Sequence, residues 1–219
     1  MRTSSAILLA CWFVAVSAHA EGFKFSAPSP DSRAEAAAQA RRQDAISAQL
    51  ATPCRDKIRN RKIVVLIAEE KNGMLMASQG SYSRHVEAVN SRLRALGLKT
   101  YSPEQIRRQI AQEEIDAYFK NDPDRALSAA RRLAAQYVLR GVITSSAVRN
   151  AIINVNQVGV NMNFTLTDAA GRPVSTATAS NQSYAGSDVA GMALTLIDER
   201  ADEVVARLYS DYCRNAAGR

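Results

Sequence analysis

Residues 133–145 read LAAQYVLRGVITS. The stretch before it places Leu127, Ala130 and Ala134 at helical spacing, and an apolar, β-branched run follows from Tyr137. Ala favours the helix, whereas Val, Ile and Tyr favour the pleated strand. No Gly-Pro punctuation separates the two. The spacing therefore predicts a compact helix-to-strand connection, with Gln136 in the tight join. Gly141 lies inside the strand, where Gly marks a bulge or a close backbone approach. A join of this kind makes the chain around it an α/β unit.

Working outward, Lys62 to Ala68 (KIVVLIA) is a continuous apolar run bounded by charge, as expected of a strand buried on both faces. EEKNGMLMASQGS after it reads as a loop. Ser81 or Ser83 then caps a helix bearing Val86, Val89, Leu93 and Leu96, with Gly97 suited to its left-handed C-terminal position. LKTY is a short strand. Ser102-Pro103-Glu104-Gln105 starts a helix with a capping box, carrying Ile106, Ile110, Ile115 and Phe119. Asn121-Asp122-Pro123 breaks the chain, and Asp124 to Gln136 is helical. Tyr137 to Val148 is a strand. From Asn154 to Thr167, Val158, Val160, Met162, Phe164 and Leu166 alternate strictly with polar residues or Gly, so one face is core. Asp168 to Gly171 is a hairpin turn, and Val174 to Ser183 returns as a Thr/Ser-rich strand. Ser187 or Asp188 caps a long final helix, whose stripe runs from Val189 through Leu196, Val204 and Leu208 to Tyr212. The fold class is α/β (α+β): a mixed sheet with an antiparallel C-terminal meander, helices on its faces and a long C-terminal helix.

Residues 1–20 have the form of a secretory signal: Arg2, an apolar core from Ala6 to Ser17, and Ala18-His19-Ala20 before Glu21. Leu8-Leu9-Ala10-Cys11 offers the alternative of a lipoprotein anchored at Cys11. Residues 21–52 hold a Pro/Ser linker and an Ala-rich helix from Asp31 or Ser32 to about Leu50. Residues 53–214 form the domain, and 215–219 a tail. No stretch approaches the roughly 18 apolar residues of a membrane span. The chain carries 28 basic and 21 acidic residues, a formal charge of +7. Such a charge favours solubility and weak attraction to anionic glycan or lipid; nucleic acid is not an expected partner of a secreted chain. Of three cysteines, Cys54 and Cys213 lie beyond the signal. In an oxidising compartment they form a disulfide closing about 160 residues, or remain separate thiols.

The residues that could do chemistry are sparse. His85 is the one histidine past the signal, with no Cys-x-x-Cys or second His to complete a metal site. No G-x-S-x-G elbow and no phosphate-binding Gly loop is present. Glu69-Glu70 and Glu113-Glu114 are adjacent pairs. No catalytic, cofactor or metal residue is assigned, and the chain reads as a non-enzyme, the alternative being a periplasmic enzyme without a recognised signature. Two segments are candidates for binding. Met74-Leu75-Met76 is either a partner-facing patch or a loop folded back onto the core. Arg55, Lys57 and Arg59, with Arg61 and Lys62, form either a contact for an anionic surface or a solvated entry to the first strand.

LAAQYVLRGVI resembles the G-A-D-Y-V-L-x-G join of the periplasmic superfamily that includes the TolB amino-terminal domain. Its other members include the curli-secretion lipoprotein, the penicillin-binding-protein activator lipoprotein and the flagellar assembly protein T middle domain. KIVVLIAEE, VNMNFTLTDAAGRPVSTATAS and GSDVAGMALTLIDERADEVVARL match its first strand, hairpin and closing helix, so the resemblance covers roughly residues 62 to 212. It implies a non-enzymatic envelope module that docks to other proteins, in secretion, flagellar or cell-wall machinery. The departures narrow it. Arg149 to Ile153 is too short for the membrane-spanning hairpin of a curli-type pore. Glu21 to Asp31 is short for the tether of a lipoprotein activator, and the flanking domains of the flagellar protein are absent.

Overall fold

A computed structural model describes residues 30–71, 73–77, 80, 83–120, 128, 131–152, 154–185 and 188–217. The signal with Cys11, the linker at 21–29, the cap candidates Ser81 and Ser187, and most of the helix expected from Asp124 lie outside the described residues. The chain divides into two compact units, 1–39 and 40–219. The described part of the first is the N-terminal half of α1 (Pro30–Leu50). Its second half belongs to the larger unit, where Leu50 packs against the main core.

The remaining elements are α2 (Arg55–Ile58), β1 (Lys62–Lys71), β2 (Met74–Met76), α3 (Ser83–Ala95), β3 (Lys99–Thr100), α4 (Pro103–Gln109) and α5 (Gln112–Phe119). They are followed by β4 (Tyr137–Asn150), β5 (Val155–Asp168), β6 (Pro173–Ala185) and α6 (Val189–Ala217). Among the described residues the sheet order is β2-β1-β4-β5-β6, with β3 beside the start of β1. β1 and β4 are parallel; β4, β5 and β6 form the antiparallel meander.

Two cores lie on the two faces of the sheet. Ile63, Val65 and Ile67 join Leu139, Ile143 and the apolar face of β5 under α3 and α6. Val64, Leu66 and Ala68 face the other way, with Val138, under α4 and α5. This is why KIVVLIA is apolar at consecutive positions, whereas β5 alternates: among the described residues only one face of β5 packs into a core.

The opening join resolves in detail. Helix geometry ends at Arg132, not Gln136. Ala134 takes a left-handed conformation, φ 50°, in place of the Gly that commonly ends a helix. Gln136 then holds the strand entry twice. Its backbone N–H donates to Lys62 O at 2.9 Å, and its side-chain Oε1 accepts from Lys62 N–H at 2.7 Å. Tyr101 donates its hydroxyl proton to Leu133 O in the same turn. Gly141 faces Phe164 across the ladder; a Cβ there would lie 2.9 Å from Phe164 Cδ1. The expected close approach is thus an aromatic ring, without a bulge.

Two expectations need correction. The helix from Pro103 is not continuous to Phe119: Ile110 turns to extended geometry, φ −124°, and a second helix starts after Ala111. The reason is angular. Ile115 lies nine residues beyond Ile106, so one unbroken helix would turn it about 180° away. The break brings Ile106, Ile110, Ile115 and Phe119 into one core. The segment after Ala68 is not a loop. β1 runs on through Lys71 and turns at Gly73, φ 75°, into β2. The capping box is present, with Ser102 and Gln105 bonding reciprocally.

Cys54 and Cys213 form a disulfide, with Cα atoms 5.6 Å apart. Around it, Tyr209 donates to Thr52 O, and Tyr137 packs edge-on against Tyr212, their hydroxyls 3.1 Å apart. Arg92 of α3 clamps Asp198 and Asp202 of α6 at 2.9 and 2.8 Å.

Candidate docking surface

Met74, Leu75 and Met76 stand out of the fold at 66%, 37% and 48% exposure. Their register partners are Lys71, Glu70 and Glu69. Because paired residues share a face, Leu75 lies with Glu70 on one face of the sheet and the two methionines on the other. The base of the hairpin is fixed. Ser145 Oγ–H donates to Glu69 at 2.6 Å, and Thr144 Oγ1–H to Glu70 at 3.3 Å. A short strand on hydrogen-bonded carboxylates is a firm mount for two flexible, polarisable methionines and a leucine.

The acidic pair Glu69-Glu70 is therefore divided between two faces. Glu114 is paired with Arg132, while Glu113 is exposed. Neither pair brings two carboxyl groups to one point. His85 of α3 is half-buried, and burial is the main cause holding its pKa below the ordinary 6.5; Glu69 pulls it up and Arg84 adds to the lowering. Among the described residues no group of three or more His, Cys, Asp or Glu is placed to hold a metal ion.

The basic segment lies elsewhere. Arg55 and Lys57 stand on α2, Arg59 ends it, and Arg61 and Lys62 lead into β1; all are exposed. Lys99 joins them as the register partner of Lys62, and Arg59 lies over Gly97. This set sits at the start of β1 and the Met hairpin at its far end, about 30 Å apart at the rise of a strand. The two predicted segments are separate surfaces.

The third feature is the far face of the meander, which the β5 alternation marks as wet or covered by something polar but to which the sequence assigned no site. Leu75, Glu70, Thr144, Asn161 and Ser180 form one row across the sheet, and Val142, Asn163 and Thr178 the next. With Arg42 and Arg140 they line an open groove of about 900 Å³. Arg140 is held at its foot, 5.0 Å above the Phe119 ring. Further along, Val148 and Tyr184 flank Gln157 in a row, both exposed. The alternation of β5 was the available signal: Asn161 and Asn163 require a wet face.

No family model matches the chain, and no curated protein does. Among solved structures, it is similar to the PelC dodecamer subunit from Paraburkholderia phytofirmans, at 23% identity and TM-score 0.40, covering 68% of this chain and 90% of that one. It is similar to lipoprotein GNA1162 from Neisseria meningitidis, at 14% identity and TM-score 0.45, covering 64% and 96%. It is also similar to the LpoB C-terminal domain from Salmonella enterica, at 20% identity and TM-score 0.40, covering 64% and 95%. Among the described residues no helix is long and apolar enough to cross a membrane.

Proposed function

We propose that this chain is a non-enzymatic accessory or assembly factor of the bacterial envelope, acting by docking to a protein complex of secretion, flagellar or cell-wall machinery. The observation that carries the reading is the β1–β2 hairpin. It holds Met74, Leu75 and Met76 out to solvent on a hydrogen-bonded base. A protein gains nothing for its own core from apolar side chains so placed, and such patches mark contact sites.

The disulfide supports a periplasmic setting, because such bonds persist in oxidising compartments. In this reading the chain is released by cleavage after Ala20; intact mass separates that form from one acylated at Cys11. Arg55, Lys57 and Arg59 add a weak contact with anionic glycan or lipid. Regulation of peptidoglycan synthesis is the more specific form of the same reading, drawn from the sequence resemblance. A photoreactive residue at Met76, activated in intact cells, tests the docking surface. The expected result is a discrete protein adduct that Leu75→Asp abolishes. A chain with no adduct at Met74 or Met76 overturns the reading.

A further inference from the structure

Among the described residues β6 is the outer strand of the meander, and no strand pairs with its far edge. Gln182 N–H bonds to the neighbouring Asn181 side chain at 3.1 Å and so points away from β5. By the period of two, Thr176, Thr178, Ser180 and Tyr184 also turn their backbone N–H and C=O groups outward. All five residues are exposed. Proteins blunt such edges with short strands, charged side chains, bulges or Pro. The opposite edge follows the rule: β2 has three residues and β3 two. β6 does not. It has 13 residues, no charged one among them, a Pro only at its first position, and a register shift only near its start.

We infer that β6 is the self-association edge of this protein, pairing antiparallel with β6 of a second copy about a two-fold axis at Ser180. In that register Ser180 faces Ser180, Thr178 faces Gln182 and Thr176 faces Tyr184 of the other copy. Each of these residues presents outward backbone groups, so both strands exchange hydrogen bonds along the whole overlap once Asn181 releases Gln182 N–H. The facing side chains are hydroxyl with hydroxyl, hydroxyl with amide, and β-branched with aromatic, all favourable cross-strand pairs.

Charge permits a copy as the occupant at this edge. The chain carries +7 overall, so two copies repel across most surfaces. Along this edge the nearby charges cancel: Arg42 and Arg200 stand with Glu203 at the groove, and Glu199 is bonded to Asn181. A two-fold interface meets no like-charge barrier here. The product is one sheet spanning both copies, with the two grooves side by side on one face.

The test uses the purified full chain after leader removal. Sedimentation equilibrium should show a concentration-dependent dimer. Ser180→Lys places two ammonium groups against each other on the axis, and should weaken the dimer about tenfold or more while circular dichroism stays unchanged. Ser180→Cys should cross-link to itself on mild oxidation, the native cysteines being already paired. Thr176→Cys alone should not, but should cross-link when mixed with Tyr184→Cys. A monomer at every concentration, a dimer indifferent to Ser180→Lys, or a Ser180→Cys chain that does not cross-link overturns the proposal. The cysteine series stands even if Ser180→Lys misfolds.

Discussion

Gly141→Ala should destabilise the fold, although Ala ordinarily improves on Gly within a strand. The added Cβ would lie 2.9 Å from Phe164 Cδ1 and 3.1 Å from Cζ, against a normal carbon contact of about 3.5–4.0 Å. Phe164 is fully buried in the main core, so the ring cannot swing aside into solvent. Overpacking of this kind costs about 1–3 kcal/mol, and relief of the Gly backbone penalty returns about 0.5–1 kcal/mol. The net loss should be about 1–2 kcal/mol, read as a lower urea midpoint at unchanged m-value. The double-mutant cycle with Phe164→Leu is the sharper assay. The smaller side chain vacates the space, so Gly141→Ala should cost little or nothing in that background, a coupling of about 1–2 kcal/mol. A neutral or stabilising Gly141→Ala would refute the reasoning. So would a cost that persists in the Phe164→Leu background.

Other perturbations probe different levels of the fold. Replacing Cys54 and Cys213 together by Ala should lower stability by about 5 kcal/mol in the chain-entropy model for a sequence separation of 159, and raise the m-value; equal urea curves for both proteins would contradict this. Ala134→Gly should stabilise by about 1 kcal/mol, because the exposed Ala134 sits at φ 50° and makes no core contact; a lower melting temperature would count against that. His85 is held below 6.5 chiefly by burial, so the unfolded chain binds its proton more readily. Stability should therefore fall as pH drops through 6.5 and towards the lower folded value. His85→Gln should flatten that part of the pH–stability curve, and an unchanged slope would refute the assignment.

What could be read in advance follows from where side-chain pattern dominates. β5 was legible because its alternation continues from Val158 to Leu166, and the long C-terminal stripe because it persists to Tyr212. The capping box at Ser102 is a local code that needs no tertiary contact. The break at Ile110 was hidden, since every residue there tolerates a helix and only the need to gather Ile106 and Ile115 on one side ends it. The β1–β2 hairpin was hidden for another reason. Its Asn72-Gly73 signal was present, but Met74-Leu75-Met76 shows no polar alternation, so the triplet reads as loop or core. The candidate docking surface depends on that hairpin, and exposure of an apolar triplet is a property of the mount, not of the three letters. The open edge of β6 is likewise a matter of sheet order, which no single strand encodes.

The bond between Cys54 and Cys213 also has a mechanical meaning. Those residues bracket β1 through most of α6. Tension applied between α1 and the residues after Cys213 therefore runs through the sulfur–sulfur link, and the sheet between them is bypassed. The domain can serve as an inextensible coupling between whatever holds its two flanks, keeping its strands unloaded while force is transmitted.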